Sequence, residues 1–298
     1  MTIRLVHQRT ELRMASQGRG SDAIATVMTL GALHAGHAAL IQRARAAVGP
    51  AGQVIVTVFV NPLQFSAGED FARYPRTLEA DLQIAEAAGA DIVYAPEVSE
   101  IYGGEVQSSV FADAHVRVQP GRLGDVLEGA SRPGHFAGVL TVVAILLHHT
   151  SCGFAPFGEK DYQQLTLVRS MVRDLGFDVE ILPVPTLREP DGLALSSRNR
   201  YLSEQERARA LIIPRVLTAA REVQHRGAQK SLAAARAVLQ SESGVEVDYL
   251  ELRDPWLQPV AEMGASRLLI AARVGTTRLL DNIALDLGSQ ESRLDGDS

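Results

Sequence analysis

The chain has 298 residues, 46% apolar and 21% charged, the make-up of an ordinary globular protein long enough for one large or two modest domains. A net charge of -6 offers no global basic field for nucleic acid, and a single cysteine, Cys152, excludes an intrachain disulfide and reads as a small buried hydrophobe in a reducing cytoplasm. The longest apolar run, Val139 to Leu147, is too short to span a bilayer and Met1 to Gly20 is broken by charges, so the expectation is a soluble cytoplasmic protein with no membrane partner.

Ile24 to Met28 is a short apolar run that reads as a buried parallel strand. Thr29-Leu30-Gly31-Ala32-Leu33-His34-Ala35-Gly36-His37 follows. Beyond it Ala38, Ile41, Ala44 and Ala47 recur at helical spacing while Gln42, Arg43 and Arg45 take the other face. A strand, a glycine turn and a helix in that order aim free backbone N–H groups and the positive end of the helix dipole at the mouth of the sheet, where phosphate binds. Gly31 and Gly36 let the backbone approach a ligand. His34 and His37, three apart, share a face as the helix begins, so both imidazoles can reach one polyphosphate and donate to it as charge builds on departing pyrophosphate. The alternatives are two histidines that cap the helix or bind a metal, for which no third ligand stands nearby.

Gln53 to Val60 is a second β-branched run, and Pro62 ends it, leaving the amides of Asn61 and Gln64 at the carboxyl edge of the sheet, where ligands collect. Such amides suit a substrate with hydroxyl and carboxylate groups. Asp70 to Arg76 reads as a charged loop. Thr77 caps a helix to about Ala88 with Asp81 exposed near its start, and Ile92 to Tyr94 makes the next strand. This alternation predicts an α/β fold with a doubly wound parallel sheet. From Glu97 to Gly124 the pattern weakens, with one candidate strand at Val116 to Val118. Arg132-Pro133-Gly134-His135-Phe136 precedes a helix apolar nearly all round, which predicts that this turn opens inside the protein, beside a site. His148 and His149 would complement the far end of its dipole.

Phe157-Gly158-Glu159-Lys160-Asp161 leads into a helix from Tyr162 to Leu175. Gly158 permits close approach, Lys160 is a point charge suited to phosphate, and Gln163 and Gln164 occupy the first turn. After a strand at Val179 to Val184, Pro183 and Pro185 mark a boundary between a Rossmann-like domain, 1–184, and a smaller α+β domain, 185–298. Thr186 to Gly192 leads into Leu195-Ser196-Ser197-Arg198-Asn199, where two hydroxyls, a guanidinium and an amide collect as phosphate donors. Ser203 to His225 and Leu232 to Leu239 read as helices, Val245 to Leu252, Arg267 to Ala272 and Thr277 to Leu287 as strands, and the residues after Gly288 as a frayed end.

Taken in order, His34-Ala35-Gly36-His37, Phe59 to Phe65, Tyr74 to Thr77, Arg132 to Phe136, Phe157 to Gln164 and Ser196 to Leu202 resemble the pantothenate synthetase family, ATP-dependent ligases of the H-x-G-H nucleotidyltransferase group. H-x-G-H alone marks only the superfamily, whereas the ordered set is specific and covers nearly the whole chain. The resemblance implies that ATP, with Mg2+, and (R)-pantoate form pantoyl adenylate and pyrophosphate, and that β-alanine then attacks to give pantothenate and AMP. It implies an ATP site from Leu30, Gly31, Ala32, Leu33, His34, Ala35, Gly36, His37, Gly158, Glu159, Lys160, Asp161, Leu187, Leu195, Ser196, Ser197 and Arg198. Among these, His37 would be the proton donor and His34, Lys160 and Arg198 its catalytic partners. Gln64 and Gln164 would hold pantoate, Gln64 would also face β-alanine, Asp81 is the candidate metal ligand, the second domain would act as a lid, and the protein would be a homodimer. The chain departs from the family at Met28-Thr29-Leu30-Gly31, usually P-T-M-G, at Leu195, usually methionine, at Ala80, where relatives carry a second acid, and over Cys152 to Pro156; the apolar swaps conserve volume and predict altered affinity with retained chemistry. A transferase acting on a phosphorylated substrate is disfavoured by the uncharged Gln64 and Gln164, and a non-catalytic nucleotide sensor by the full set of phosphate-directed side chains.

Overall fold

A computed structural model describes residues 2–65, 71–103 and 116–288. Asp70, Gly104, Ser108 and Ser109, and the polar end after Gly288 lie outside the described residues. The chain divides into two compact units, Met1–Pro185 and Thr186–Ser298.

The first unit is built on six parallel strands: β1 (Arg4–Val6), β2 (Ile24–Thr29), β3 (Gln53–Val58), β4 (Ile92–Tyr94), β5 (Phe154–Gly158) and β6 (Glu180–Val184), in the order β1-β4-β3-β2-β5-β6. The helices are α1 (Arg9–Ala15), α2 (Ala35–Val48), α3 (Leu78–Ala88), α4 (Val98–Tyr102), α5 (Glu128–Ser131), α6 (His135–Thr150) and α7 (Tyr162–Asp174). Central strands β2 and β3 are apolar on both faces because both are covered. Alternate residues Ala25, Val27, Val54 and Val56 pack with Ile41 and Ala44 of α2 and Ala85 and Ala88 of α3 in one core. The sheet grows from β2 through β3 to β4 in one direction and from β5 to β6 in the other. Right-handed crossovers therefore put the connecting helices on opposite faces, and the reversal between β2 and β5 leaves a crevice at their carboxyl ends.

The second unit pairs α8 (Glu204–Ala210), α9 (Ile212–Glu222) and α10 (Ala228–Gln240) with an antiparallel sheet of β7 (Val245–Arg253), β8 (Gly264–Val274) and β9 (Thr277–Leu287). Ile213, Val216, Leu217 and Ala220 of α9 face Leu268, Ile270 and Ala272 of β8 in its core. The helix expected from Ser203 to His225 is divided, since Pro214 has no N–H to continue a helix and is tolerated in the first turn of a new one. One further expectation fails, and one stretch gains structure that was not anticipated. Val116 to Val118 is not a strand: Val116 is 90% exposed, and the Val118 N–H is taken by the Thr141 hydroxyl of α6 instead of a strand partner. The unassigned N-terminal stretch contains β1 and α1, because three residues paired to β4 at the sheet edge carry no readable period. No helix among the described residues is long and apolar enough to cross a membrane.

Buried α6 meets the turn after β3 through Gly138. A Cβ there would stand 2.2 Å from the Leu63 carbonyl oxygen and 2.7 Å from the Gln64 nitrogen. Gly138→Ala should therefore lower stability by about 1–3 kcal/mol through overpacking, although alanine is intrinsically the better helix former; an unchanged urea midpoint would contradict this packing.

Candidate active site

The turn after β2 is held from behind. Thr29 donates through its hydroxyl to the Thr57 carbonyl at 2.7 Å and accepts from the Gly31 N–H at 3.1 Å. Asp81 of α3 accepts from the N–H groups of Ala32 at 3.1 Å and Leu33 at 2.8 Å, and from the Thr77 hydroxyl at 3.2 Å. Gly31 has φ of 86°, which glycine adopts without strain, and Ala32 holds φ of 51° with Asp81 bonded to its nitrogen. These contacts correct two expectations. Asp81 is 1% exposed, not on the surface, since α3 turns its first coil inward to close the loop. Nor are the backbone N–H groups of the turn free for phosphate, because those of Gly31, Ala32 and Leu33 are committed to Thr29 and Asp81.

His34 and His37 continue the pattern. His34 is the N-cap of α2, and its Nδ1 accepts from the Gly36 N–H at 3.0 Å; Nδ1 of His37 accepts from the His34 N–H at 3.2 Å. A ring nitrogen that accepts from an amide carries no proton, so in both neutral rings the proton sits on Nε2. The rings lie side by side, centroids 4.2 Å apart. Burial, with His34 beside it, pushes the His37 imidazole down to about 3, and burial, with the Lys160 charge, lowers that of His34. At neutral pH the pair therefore offers two uncharged Nε2–H donors.

The turn after β5 stands across the crevice. The charges of Lys160 and Asp161 act on both histidines, Lys160 disfavouring and Asp161 favouring their protonated forms, which brings the two motifs into one site. Lys160 Nζ lies 3.6 Å from Asp161 Oδ1. Gly158 has an ordinary extended backbone, and a Cβ there would meet nothing within 4 Å, so packing leaves open space beside it. At the end of β3, Gln64 closes a short turn, Pro62–Gln64, capped by Asn61. Gln164 is half-buried on α7, whereas its neighbour Gln163 is buried and holds the backbone of Leu123, Val126 and Glu128. At the end of α6, His149 does not act as a cation on the helix dipole: burial lowers its titration and Tyr94 meets its Nδ1 at 3.0 Å.

Within the second unit, Leu187 and Leu195 become neighbours, the Leu195 N–H donating to the Leu187 carbonyl at 2.8 Å beside a bridge between Arg188 and Ala194. The hairpin is tied down by Arg188 on Asp281 and by Arg207 on Glu189 and Asp191. Ser196 then caps the short turn Ser197–Tyr201, accepting from the Arg198 N–H. Leu187, Leu195, Ser196, Ser197 and Arg198 are thus gathered by one scaffold. Asn199 is not among the phosphate donors, because its buried amide donates to the Ala194 carbonyl and to Glu189.

A family model described as pantoate-beta-alanine ligase matches residues 4–284. The chain belongs to that family. It is 54% identical over 287 residues to a pantothenate synthetase of Mycobacterium sp. (strain KMS), covering 96% of this chain and 88% of the relative, and 54% identical over 286 residues to that of Salinispora arenicola, covering 95% and 98%. Among solved structures, pantothenate synthetase from Thermus thermophilus superposes with a TM-score of 0.85 at 45% identity, covering 94% of this chain and 99% of that one. A pantoate-beta-alanine ligase from Francisella tularensis complexed with beta-gamma ATP and beta-alanine superposes at 0.74 with 31% identity, covering 94% and 97%. In this ligase the sequence pattern missed Asp81 as the anchor of the H-x-G-H turn; its only local signal is an acid in a first helical turn, which more often serves its own helix.

The lowered imidazoles set a pH dependence of stability. A histidine whose folded value lies below the unfolded 6.5 contributes fully above that value and costs stability as pH falls from 6.5 toward the folded value, about 3 for His37. His37→Asn keeps an acceptor for the His34 N–H and removes the titration. Between pH 6.5 and 5, urea midpoints should fall less steeply in this variant than in the parent; parallel slopes would contradict a buried neutral His37.

Proposed function

We propose that the chain condenses (R)-pantoate with β-alanine, consuming ATP, through pantoyl adenylate. The observation that supports this most is the pair of neutral Nε2–H donors on which the Lys160 charge acts, within a chain that belongs to the ligase family. A pantoate carboxylate oxygen attacks the α-phosphorus of ATP, and the bond to the bridging oxygen breaks as pyrophosphate leaves. His34 and His37 stabilise the departing charge as hydrogen-bond donors from Nε2, and Lys160 does so as a point charge. With an imidazole pushed down to about 3, His37 acts by donation of a hydrogen bond and holds no imidazolium proton to give at neutral pH. The stretch Leu30 to His37, with Gly158, Glu159 and Asp161, and separately Leu187, Leu195, Ser196, Ser197 and Arg198, line the nucleotide in this reading.

In the second step the amine of β-alanine attacks the acyl carbon, the bond to the AMP phosphate oxygen breaks, and the amine loses a proton as the amide forms. No residue becomes covalently modified. Cys152, buried with its thiol pushed up by burial, stays outside the chemistry. Gln64 and Gln164 hold pantoate, and Gln64 also faces β-alanine. For Mg2+, among the described residues no group of three or more His, Cys, Asp or Glu side chains could form a cage, and the Asp81 oxygens are already taken by three donors. The residues therefore do not fit a protein-held ion, and we place Mg2+ on the ATP phosphates. The same reading makes the protein a cytoplasmic homodimer, to be checked by light scattering and fractionation.

Incubation with ATP, Mg2+, pantoate and β-alanine, omitting each in turn, should yield pantothenate and AMP only in the full mixture; AMP release independent of pantoate would overturn the assignment. His37→Ala should slow adenylate formation by about 2.7 kcal/mol or more, on the order of a hundredfold, and wild-type turnover would remove it from the chemistry. Lys160→Ala should raise the KM for ATP more than that for pantoate, and the reverse ranking would exchange the two subsites.

A further inference from the structure

The motif Arg132 to Phe136 and the tyrosine of α4 have no part in the chemistry above, yet both end on the turn that carries Gln64. The Leu63 N–H donates to Asn61 Oδ1 at 3.2 Å, so that end of the Asn61 amide is its oxygen; the Tyr102 hydroxyl donates to the same atom at 2.5 Å. The other end is then the nitrogen, and its two hydrogens go to the Gly138 carbonyl and to Gln64 Oε1, each at 3.1 Å. Asn61 is fully buried and all four of its amide bonds are made. The Leu63 N–H and the Tyr102 hydroxyl on one side of Asn61, and the Gly138 carbonyl on the other, thus together set the polarity of Gln64: Oε1 faces Asn61, and among the described residues Nε2 is the end left for a ligand.

The backbone of Gln64 is held as firmly. Its carbonyl accepts from His135 Nδ1 at 2.9 Å and from Arg132 Nη2 at 3.4 Å, while Arg132 Nη1 meets His135 Nε2 at 3.1 Å. A guanidinium can only donate, so Nε2 of His135 accepts and its proton sits on Nδ1, directed at the Gln64 carbonyl. The missing Cβ of Gly138 lets α6 close on the same turn.

We propose that Tyr102, Asn61 and the Arg132–His135 pair are positioning residues that lock Gln64 as a donor-only contact, so that this subsite selects a substrate oxygen that accepts hydrogen bonds. The proposal rests on the reading that Gln64 holds pantoate. The selected group is a carboxylate or hydroxyl oxygen of the acid substrate, and an ammonium or amide N–H placed there would face N–H against N–H. Tyr102 is the cleanest handle: its ring packs against Phe59, centroids 6.1 Å apart, and Tyr102→Phe keeps that contact while deleting the hydroxyl.

Steady-state kinetics on the full chain test this with Tyr102→Phe, His135→Asn, Gln64→Ala and Gln64→Glu. Tyr102→Phe should raise the KM for pantoate about tenfold with the KM for ATP and the melting temperature nearly unchanged. His135→Asn, which can still donate to the Gln64 carbonyl, should keep a pantoate KM closer to that of the parent than His135→Ala. Gln64→Glu should weaken pantoate at least as much as Gln64→Ala, because it places an anionic oxygen where Nε2 stood. If Gln64→Ala raises the pantoate KM and Tyr102→Phe does not, the positioning role is overturned and the pantoate reading stands. If Tyr102→Phe raises both KM values equally, or Gln64→Glu binds pantoate better than Gln64→Ala, the donor-only orientation is wrong. An unchanged pantoate KM in Gln64→Ala would remove the pantoate reading and the proposal with it.

Discussion

The carboxylate of Asp81 on the N–H groups of Ala32 and Leu33 is the contact on which the site depends. It places a carboxyl group in a buried position, where three donors satisfy its two oxygens. In turn it shapes the connection between β2 and α2, holding Ala32 at positive φ and bringing His34 to the N-cap. The N–H groups of Gly31, Ala32 and Leu33 are committed inward, and the two imidazoles that follow have tautomers which the backbone has already chosen.

The same device recurs at Gln64. There too a backbone N–H and a backbone carbonyl orient a buried side chain, Asn61, which in turn bonds the Gln64 amide. Preorganised donors need no rearrangement as charge develops, and a neutral imidazole keeps its donor role across the physiological range. Both turns stand at carboxyl ends of neighbouring strands, β2 and β3, so the doubly wound topology is what brings the histidine pair and Gln64 to one edge of the sheet.

Much of this is legible in the sequence where the signal is local. The β-branched runs of β2 and β3, the uniformly apolar α6 and the spacing of His34 and His37 each follow from residues within one element. What is misread or passed over shares a different cause. Asp81 sits 48 positions from Leu33, Tyr102 sits 41 from Asn61, and His135 sits 71 from Gln64, so nothing in the surrounding window shows what each would meet. Asn199 looks like a phosphate ligand until the hairpin folds its amide inward, and His149 looks like a helix-end cation until burial and Tyr94 are counted. Val116 to Val118 has strand composition, but among the described residues no neighbouring strand completes a ladder there. Polar residues committed to distant backbone are the ones that sequence pattern misassigns, because their hydrogen-bonding capacity is visible and its use is not.

Nitrogen-15 spectra of the imidazoles at neutral pH test the central claim most directly. The account predicts that His34 and His37 both appear as neutral rings protonated on Nε2, with Nδ1 unprotonated and accepting from the backbone. An imidazolium at either position, or a proton on Nδ1, would contradict it.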